Sequence, residues 1–187
     1  MAEEWALTQK AELRADELAL VARLRHGDEI AMNLIVARHR DRLIRVAANL
    51  LRDRHEAEDV AQEAFLKAFR EIKKLRDDRA FSGYLYKICV RLCMDKIRSR
   101  KPMSEAIEQG EGGTDRRVET KILVHELLEH LPLEQRETLI LREMEQMSYD
   151  EVADMLDIPV GTVRSRLHAA REKFRLIYLE ATEGGVA

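Results

Sequence analysis

Apolar residues recur at three- and four-residue intervals along almost the whole chain, and strand-type alternation is nearly absent. This period predicts an all-α protein. A first helix is expected over residues 16–25, stopped by His26-Gly27, and a longer one over 28–51. Asp53, three residues before Glu56, is a capping arrangement that starts a third helix. In it Ala57, Val60, Ala61, Ala64, Phe65, Ala68, Phe69 and Ile72 form one apolar face. A charged loop, 75–80, leads to a fourth helix over 81–99, whose expected buried side is Phe81, Leu85, Ile88, Cys89, Leu92 and Cys93.

The pattern then breaks. Lys101-Pro102 ends a domain, and residues 102–118 are polar, carry three Gly and lack periodicity, which reads as a flexible acidic linker. Helical spacing resumes over 119–130 and 133–144, separated by Leu131-Pro132. Ser148 and Glu151 form a capping box for the next helix, and Asp157 sits at a tight turn before another that begins near Val160. That last helix has two stripes: Val163, Leu167, Ala170 and Phe174 are apolar, while Arg164, His168, Arg171 and Arg175 are cationic. A short helix with one face for a core and one for anions, placed after a capped helix and a tight turn, has the layout of a helix-turn-helix reading a DNA major groove. The organisation is therefore two small helical domains joined by a flexible linker: 1–15 an N-terminal extension, 16–101 the first domain, 102–118 the linker, 119–178 the second domain and 179–187 a tail whose last residues fray.

Charge sharpens this picture. The net charge of −3 conceals an asymmetry: residues 16–101 hold 20 Lys+Arg against 14 Asp+Glu, and residues 119–187 hold 8 against 14. Inside that acidic second domain, residues 161–175 carry five cations and one Glu. A local basic helix on an acidic domain says more about binding than the overall charge does. No apolar run approaches the roughly 20 residues of a membrane helix, and the N-terminus lacks a signal-peptide layout, so a cytoplasmic protein without membrane contact of its own is expected. Cys89 and Cys93 fall in the apolar pattern and read as reduced core thiols; no further ligands stand at metal-site spacing, and no metal or cofactor is expected. No Ser/His/Asp set or phosphate-cradling Gly loop is present, so no catalytic residue is assigned and the chain is not read as an enzyme.

Two more surfaces stand out. On the outer side of helix 81–99, Tyr84, Lys87, Arg91, Asp95 and Arg98 share a stripe beside Arg76 and Arg79 of the preceding loop, an aromatic among cations suited to stacking and phosphate contact. On the third helix, Glu56, Asp59, Gln62, Glu63 and Lys67 form an outward, largely acidic stripe that suits a basic protein partner.

In this order the motifs resemble those of bacterial RNA polymerase sigma factors of the extracytoplasmic-function class. AEDVAQEAFLKAF (57–69) is similar to the family's core-polymerase-binding segment, residues 81–100 to its promoter-melting helix, and residues 131–175 to its C-terminal domain. The resemblance runs from about residue 16 to residue 175. It implies that Glu56, Asp59, Gln62 and Glu63 dock on core RNA polymerase. It implies that Arg76, Arg79, Tyr84, Lys87, Arg91 and Arg98 capture the melted non-template strand of the minus-ten element. Thr162, Arg164, Ser165, Arg166, His168, Arg171 and Arg175 would bind duplex DNA at the minus-thirty-five element. The linker would thread toward the polymerase active-site channel, and an anti-sigma factor is an expected partner, in a stress or envelope response. Four positions depart from the family's pattern: Tyr84 stands where Trp is usual, Arg91 where Asn is frequent, Asp157 where Gly is usual and Ala169 where Arg is common. Residues 1–15, with Trp5 and Leu7, exceed the usual start and receive no role.

Two other readings compete with this one. A conventional helix-turn-helix regulator binding duplex DNA as a dimer has no need of the first domain's acidic and aromatic-basic faces. A sigma mimic that only titrates an anti-sigma factor has no reason to keep Arg164, His168 and Arg171 on one face.

Overall fold

A computed structural model describes residues 15–99 and 116–183, with side chains from 123 to 181 in the second stretch. The chain is all-α: among the described residues no strand occurs. It divides after Met94 into two compact units. Residues 1–14 of the expected N-terminal extension, residues 100–115 with most of the expected linker 102–118, and the last four residues of the tail lie outside the described residues.

In the first unit, α1 (15–25) ends where Gly27 takes φ 79°, a left-handed conformation that costs glycine little. α2 (Glu29–Leu51) begins at Asp28, whose carboxylate accepts from the Ile30 and Ala31 N–H groups. Its hydrogen bond with Arg23 and these N–H groups hold the Asp28 carboxyl below the usual carboxylate range. α3 (Arg54–Glu71) starts at Asp53, which accepts from Glu56 N–H, and packs along α2. The chain then makes a 3-10 turn at Ile72–Lys74, where the third helix was expected to continue through Ile72. A second lies at Asp78–Ala80, inside the expected charged loop 75–80, and leads into α4 (Phe81–Ser99), whose residues from Asp95 on fall in the second unit.

The core joins Val21 and Leu24 of α1, Ile35, Leu43, Val46 and Leu50 of α2, Val60, Ala64 and Phe65 of α3, and Phe81, Leu85, Ile88, Cys89 and Cys93 of α4. Both cysteines are buried thiols outside any disulfide, and Cys89 Sγ–H points at the Leu43 carbonyl, 3.9 Å away. The buried side of α4 is wider than expected. Tyr86, Val90 and Met94 are buried, and Leu92 is only half-buried. Tyr86 accounts for part of this: His39 meets its ring edge-on at 6.0 Å, Arg42 lies 4.8 Å over it, and burial pushes its phenol up to about 12. His39 Nε2 in turn lies 3.2 Å from Glu17 Oε1 of α1. A small polar network thus ties α1, α2 and α4.

In the second unit, α5 (Arg116–Glu129) and α6 (Leu133–Leu139) are separated at Leu131-Pro132. The expected helix over 133–144 changes character at Ile140. Ile140–Met144 is a π-turn, closed by Glu145 N–H on the Ile140 carbonyl at 3.1 Å. The wider turn accompanies five consecutive buried residues, Glu137 to Leu141, more than one face of a regular helix hides. α7 (Tyr149–Leu156) begins with a full capping box: Ser148 Oγ accepts from Glu151 N–H, and Glu151 accepts from Ser148 N–H at 2.7 Å. Asp157 ends it in the left-handed region at φ 59°. α8 (Val160–Glu183) follows and packs on α6 and α7 through Val163, Leu167 and Ala170. It runs well beyond Arg175, through residues that the sequence suggests are tail.

Candidate nucleic-acid interface

α3 turns Ala57, Val60, Ala61, Ala64, Phe65 and Ala68 inward, so its opposite side is left to solvent. Asp59, Gln62 and Glu63 are exposed there and Glu56 is half-buried at the first turn. Leu66 belongs to the same stripe, 52% exposed. Sequence reasoning missed it, although its spacing from Asp59 and Glu63 places it out of phase with the apolar face. An exposed leucine at the end of an acidic stripe adds an apolar anchor to an otherwise electrostatic surface.

On α4, Tyr84 and Lys87 are half-buried and Arg91, Asp95 and Arg98 are exposed along one stripe. The Tyr84 hydroxyl donates to the Glu71 carboxylate at the end of α3. That bond pushes the phenol up to about 12 and holds the Glu71 carboxyl below its usual range, so the proton stays on Tyr84. The loop before α4 is held at several points. Asp77 caps the second 3-10 turn by accepting from Arg79 N–H, and Arg79 Nε reaches both Asp77 oxygens at 3.1 Å. Arg25 at the end of α1 binds the Leu75 carbonyl through Nη2 and Asp78 Oδ1 through Nε at 2.6 Å. Leu18, Arg25 and Leu75–Arg79 line an open hollow of about 480 Å³. Arg76 and Arg79 are therefore exposed on a braced loop.

On α8, Arg164, Ser165 and His168 are exposed in the first turns, with Thr162 half-buried and Ser165 Oγ donating to the Thr162 carbonyl at 3.0 Å. Arg171 is exposed but bound to Glu143 Oε1 at 2.6 Å, and Arg175 is exposed with Glu172 3.8 Å away. Arg164, Ser165, His168, Arg171 and Arg175 thus line the solvent side. Arg166 does not join them. Its guanidinium turns to α6, 2.9 Å from Glu134 and 3.4 Å from Glu137. The signal was available in the phase: Arg166 stands three residues after Val163 and four before Ala170, on the flank of the buried face. Further along, Val124, Leu128, Ile140, Met144, Phe174 and Tyr178 line an apolar hollow of about 600 Å³. The described residues contain no cluster of His, Cys, Asp or Glu able to hold a metal ion, and no helix long and apolar enough to cross a membrane.

The geometry thus gives an aromatic-basic stripe on α4 and a helix-turn-helix with a basic outer face at α7–α8, and comparison with known proteins places the chain. Residues 35–102 match the family described as Sigma-70 region 2, and residues 121–174 that described as Sigma-70, region 4. The chain is 36% identical over 171 residues to the RNA polymerase sigma-H factor of Pseudomonas aeruginosa, covering 82% of this chain and 89% of that protein. It is 34% identical to the ECF RNA polymerase sigma-E factor of Escherichia coli, over 82% and 89% of the two chains. With the ECF RNA polymerase sigma factor SigW of Bacillus subtilis the identity is 31%, over 83% and 92%. A solved structure of CnrH in complex with the cytosolic domain of CnrY superposes with a TM-score of 0.68 at 25% identity, over 87% of this chain and 96% of that one. The fold is also shared, at a TM-score of 0.61 and 20% identity, over 78% of this chain and 95% of the other, with the sigma factor RpoE solved in complex with the anti-sigma factor NepR from Bartonella quintana. The chain belongs to the sigma-70 family of RNA polymerase sigma factors, in the extracytoplasmic-function class.

Proposed function

We propose that this chain binds core RNA polymerase and directs it to promoters with separate minus-thirty-five and minus-ten elements. Residues 16–101 bind core and melt DNA, residues 102–118 link, and residues 119–178 recognise the upstream element. The stripe of Glu56, Asp59, Gln62 and Glu63, extended by Leu66, docks on a basic surface of the polymerase. Tyr84, Lys87, Arg91 and Arg98, with Arg76 and Arg79 on the braced loop, hold the melted non-template strand. The first turns of α8 enter the major groove with Arg164, Ser165 and His168, and Arg171 and Arg175 meet phosphates. The chain performs no chemistry; polymerisation belongs to its partner, and it works in the cytoplasm. An anti-sigma factor restrains it; the sigma factor RpoE of Bartonella quintana was solved in complex with an anti-sigma factor. The apolar hollow beside Phe174 and Tyr178 offers such a partner a site for apolar side chains.

The observation that carries this reading is the separation of surfaces. Each of the three stripes lies opposite a buried apolar face, so its charged and aromatic residues serve no core. The test is run-off transcription with purified core polymerase on genomic fragments, with start sites mapped. The expected result is initiation at sites sharing two spaced motifs, only when this chain is added. Specific protection of duplex DNA by the chain alone, with no chain-dependent start sites, would replace this reading with a conventional regulator.

A further inference from the structure

We infer that Arg166 is a positioning residue: held between Glu134 and Glu137 of α6, it fixes the roll of α8 and so aims Arg164 and His168, without touching DNA itself. The inference rests on the reading of α8 as the minus-thirty-five helix and deepens it.

The grip has two points. Arg166 Nη2 lies 2.9 Å from Glu134 Oε2 and Nη1 lies 3.4 Å from Glu137 Oε1, and the two acids stand three residues apart on the same side of α6. Only 19% of the Arg166 side chain and 4% of the Glu137 side chain are exposed. Glu137 Oε2 is buried with no hydrogen-bond partner, and burial pushes the carboxyl up while Arg166 draws it down. Arg166 is therefore the main cation on which Glu137 relies, with smaller contributions from Arg98 and Arg136. If the guanidinium swung out to a phosphate, a poorly satisfied carboxylate would remain inside the domain, the situation in which breaking a buried pair is most costly.

Arg171 provides the contrast on the same helix. Its partner Glu143 is 47% exposed, and that carboxylate is rehydrated at little cost when Arg171 leaves. Both arginines are ion-paired within the domain, yet only one is free to trade its carboxylate for a phosphate. The planar fork of Arg166, by contrast, is held chiefly by the buried Glu137, with the 68% exposed Glu134 adding a second, weaker contact, and the pair resists rotation of α8 about its own axis. A small roll moves a side chain at the groove floor by ångströms, enough to misalign a bidentate contact to a base edge.

The experiment uses holoenzyme made from core polymerase and full-length chain, binding a promoter and its single-base minus-thirty-five variants over a range of salt concentrations. Three variants are compared with wild type: Glu137→Gln, Arg166→Lys and the paired Arg166→Met/Glu137→Met, which removes both charges together and so avoids a stranded carboxylate. Glu137→Gln and the paired variant should lose about fivefold or more of base discrimination, the low end of what one bidentate base contact is worth. Arg166→Lys should retain part of it, and all three should keep the wild-type salt slope. A slope shallower by about 0.9 in the paired variant, with Glu137→Gln and the charge-retaining Arg166→Lys unaffected, means a phosphate contact and overturns the inference. Unchanged discrimination in folded Glu137→Gln also overturns it, leaving the pair a packing feature. Arg164→Ala is the control: if it changes no base preference either, the minus-thirty-five reading of α8 fails and this inference with it.

Discussion

Tyr84 braces Glu71 and, in the proposed reading, also stacks a base of the melted strand; two substitutions separate the two roles. The ring sits half-buried on the melting stripe, and its hydroxyl is committed to Glu71. Tyr84→Ala removes both ring and brace; Tyr84→Phe keeps the ring and removes only the brace. Stacking of one base on an aromatic side chain is worth roughly 1–3 kcal/mol, so Tyr84→Ala should slow or weaken open-complex formation by about 5- to 150-fold. Tyr84→Phe should lose much less, because the stacking surface survives. The assay is open-complex formation by holoenzyme on duplex promoter and on a template pre-melted across the minus-ten element, and the pre-melted template should relieve part of the Ala defect. Protonation should not complicate the comparison. With the folded-state phenol raised to about 12, the stability that the hydroxyl contributes is complete below its ordinary value of about 10 and is lost only as pH rises through about 12. Equal defects in the Ala and Phe variants, or no relief on the pre-melted template, would refute the stacking role and leave Tyr84 as a strut between α3 and α4.

Reversing Asp59 and Glu63 to Lys should weaken association with core polymerase by about fivefold per exposed pair, and Leu66→Ala should add to the loss, with thermal unfolding unchanged; a titration showing wild-type affinity removes this face from the reading. Arg164→Ala should cost about 1–3 kcal/mol at one base pair and relax preference there, whereas Arg175→Ala should weaken all promoters alike and flatten the salt slope by about 0.9, both measured by promoter-library selection at two salt concentrations. Ser148→Ala should destabilise the C-terminal unit by about 1 kcal/mol through loss of the α7 cap, seen in denaturant unfolding as a lower midpoint with unchanged slope.

What the sequence made legible was local. Asp53 and Ser148 announce their helices because a cap needs only a side chain and an N–H two or three residues on. Asp157 at φ 59° was readable for the same reason. The apolar faces of α3 and α8 followed from period alone. Residues whose partners stand far along the chain were not legible. Arg166 looks like one more cation on a basic helix until Glu137, 29 positions earlier, is seen beneath it. Tyr84 gives no sign of Glu71, nor His39 of Tyr86. The π-turn at Ile140 escaped because hydrophobic phase does not distinguish a helix that widens from one that simply continues.

The bond from Arg25 to Asp78 joins residues 53 positions apart, and this separation has a consequence for the order of events. In a nascent chain α1, only 11 residues long, is marginal on its own, and the loop ahead of α4 has no anchor until α2 and α3 have formed and brought the chain back. Contacts of such long sequence separation close late in folding, and a segment held by few of them opens early. The loop carrying Arg76 and Arg79 should therefore be the last part of its unit to take shape and among the first to exchange its amide hydrogens. Its lifetime in the closed form is governed from α1, a helix on which none of the proposed DNA-contacting side chains resides.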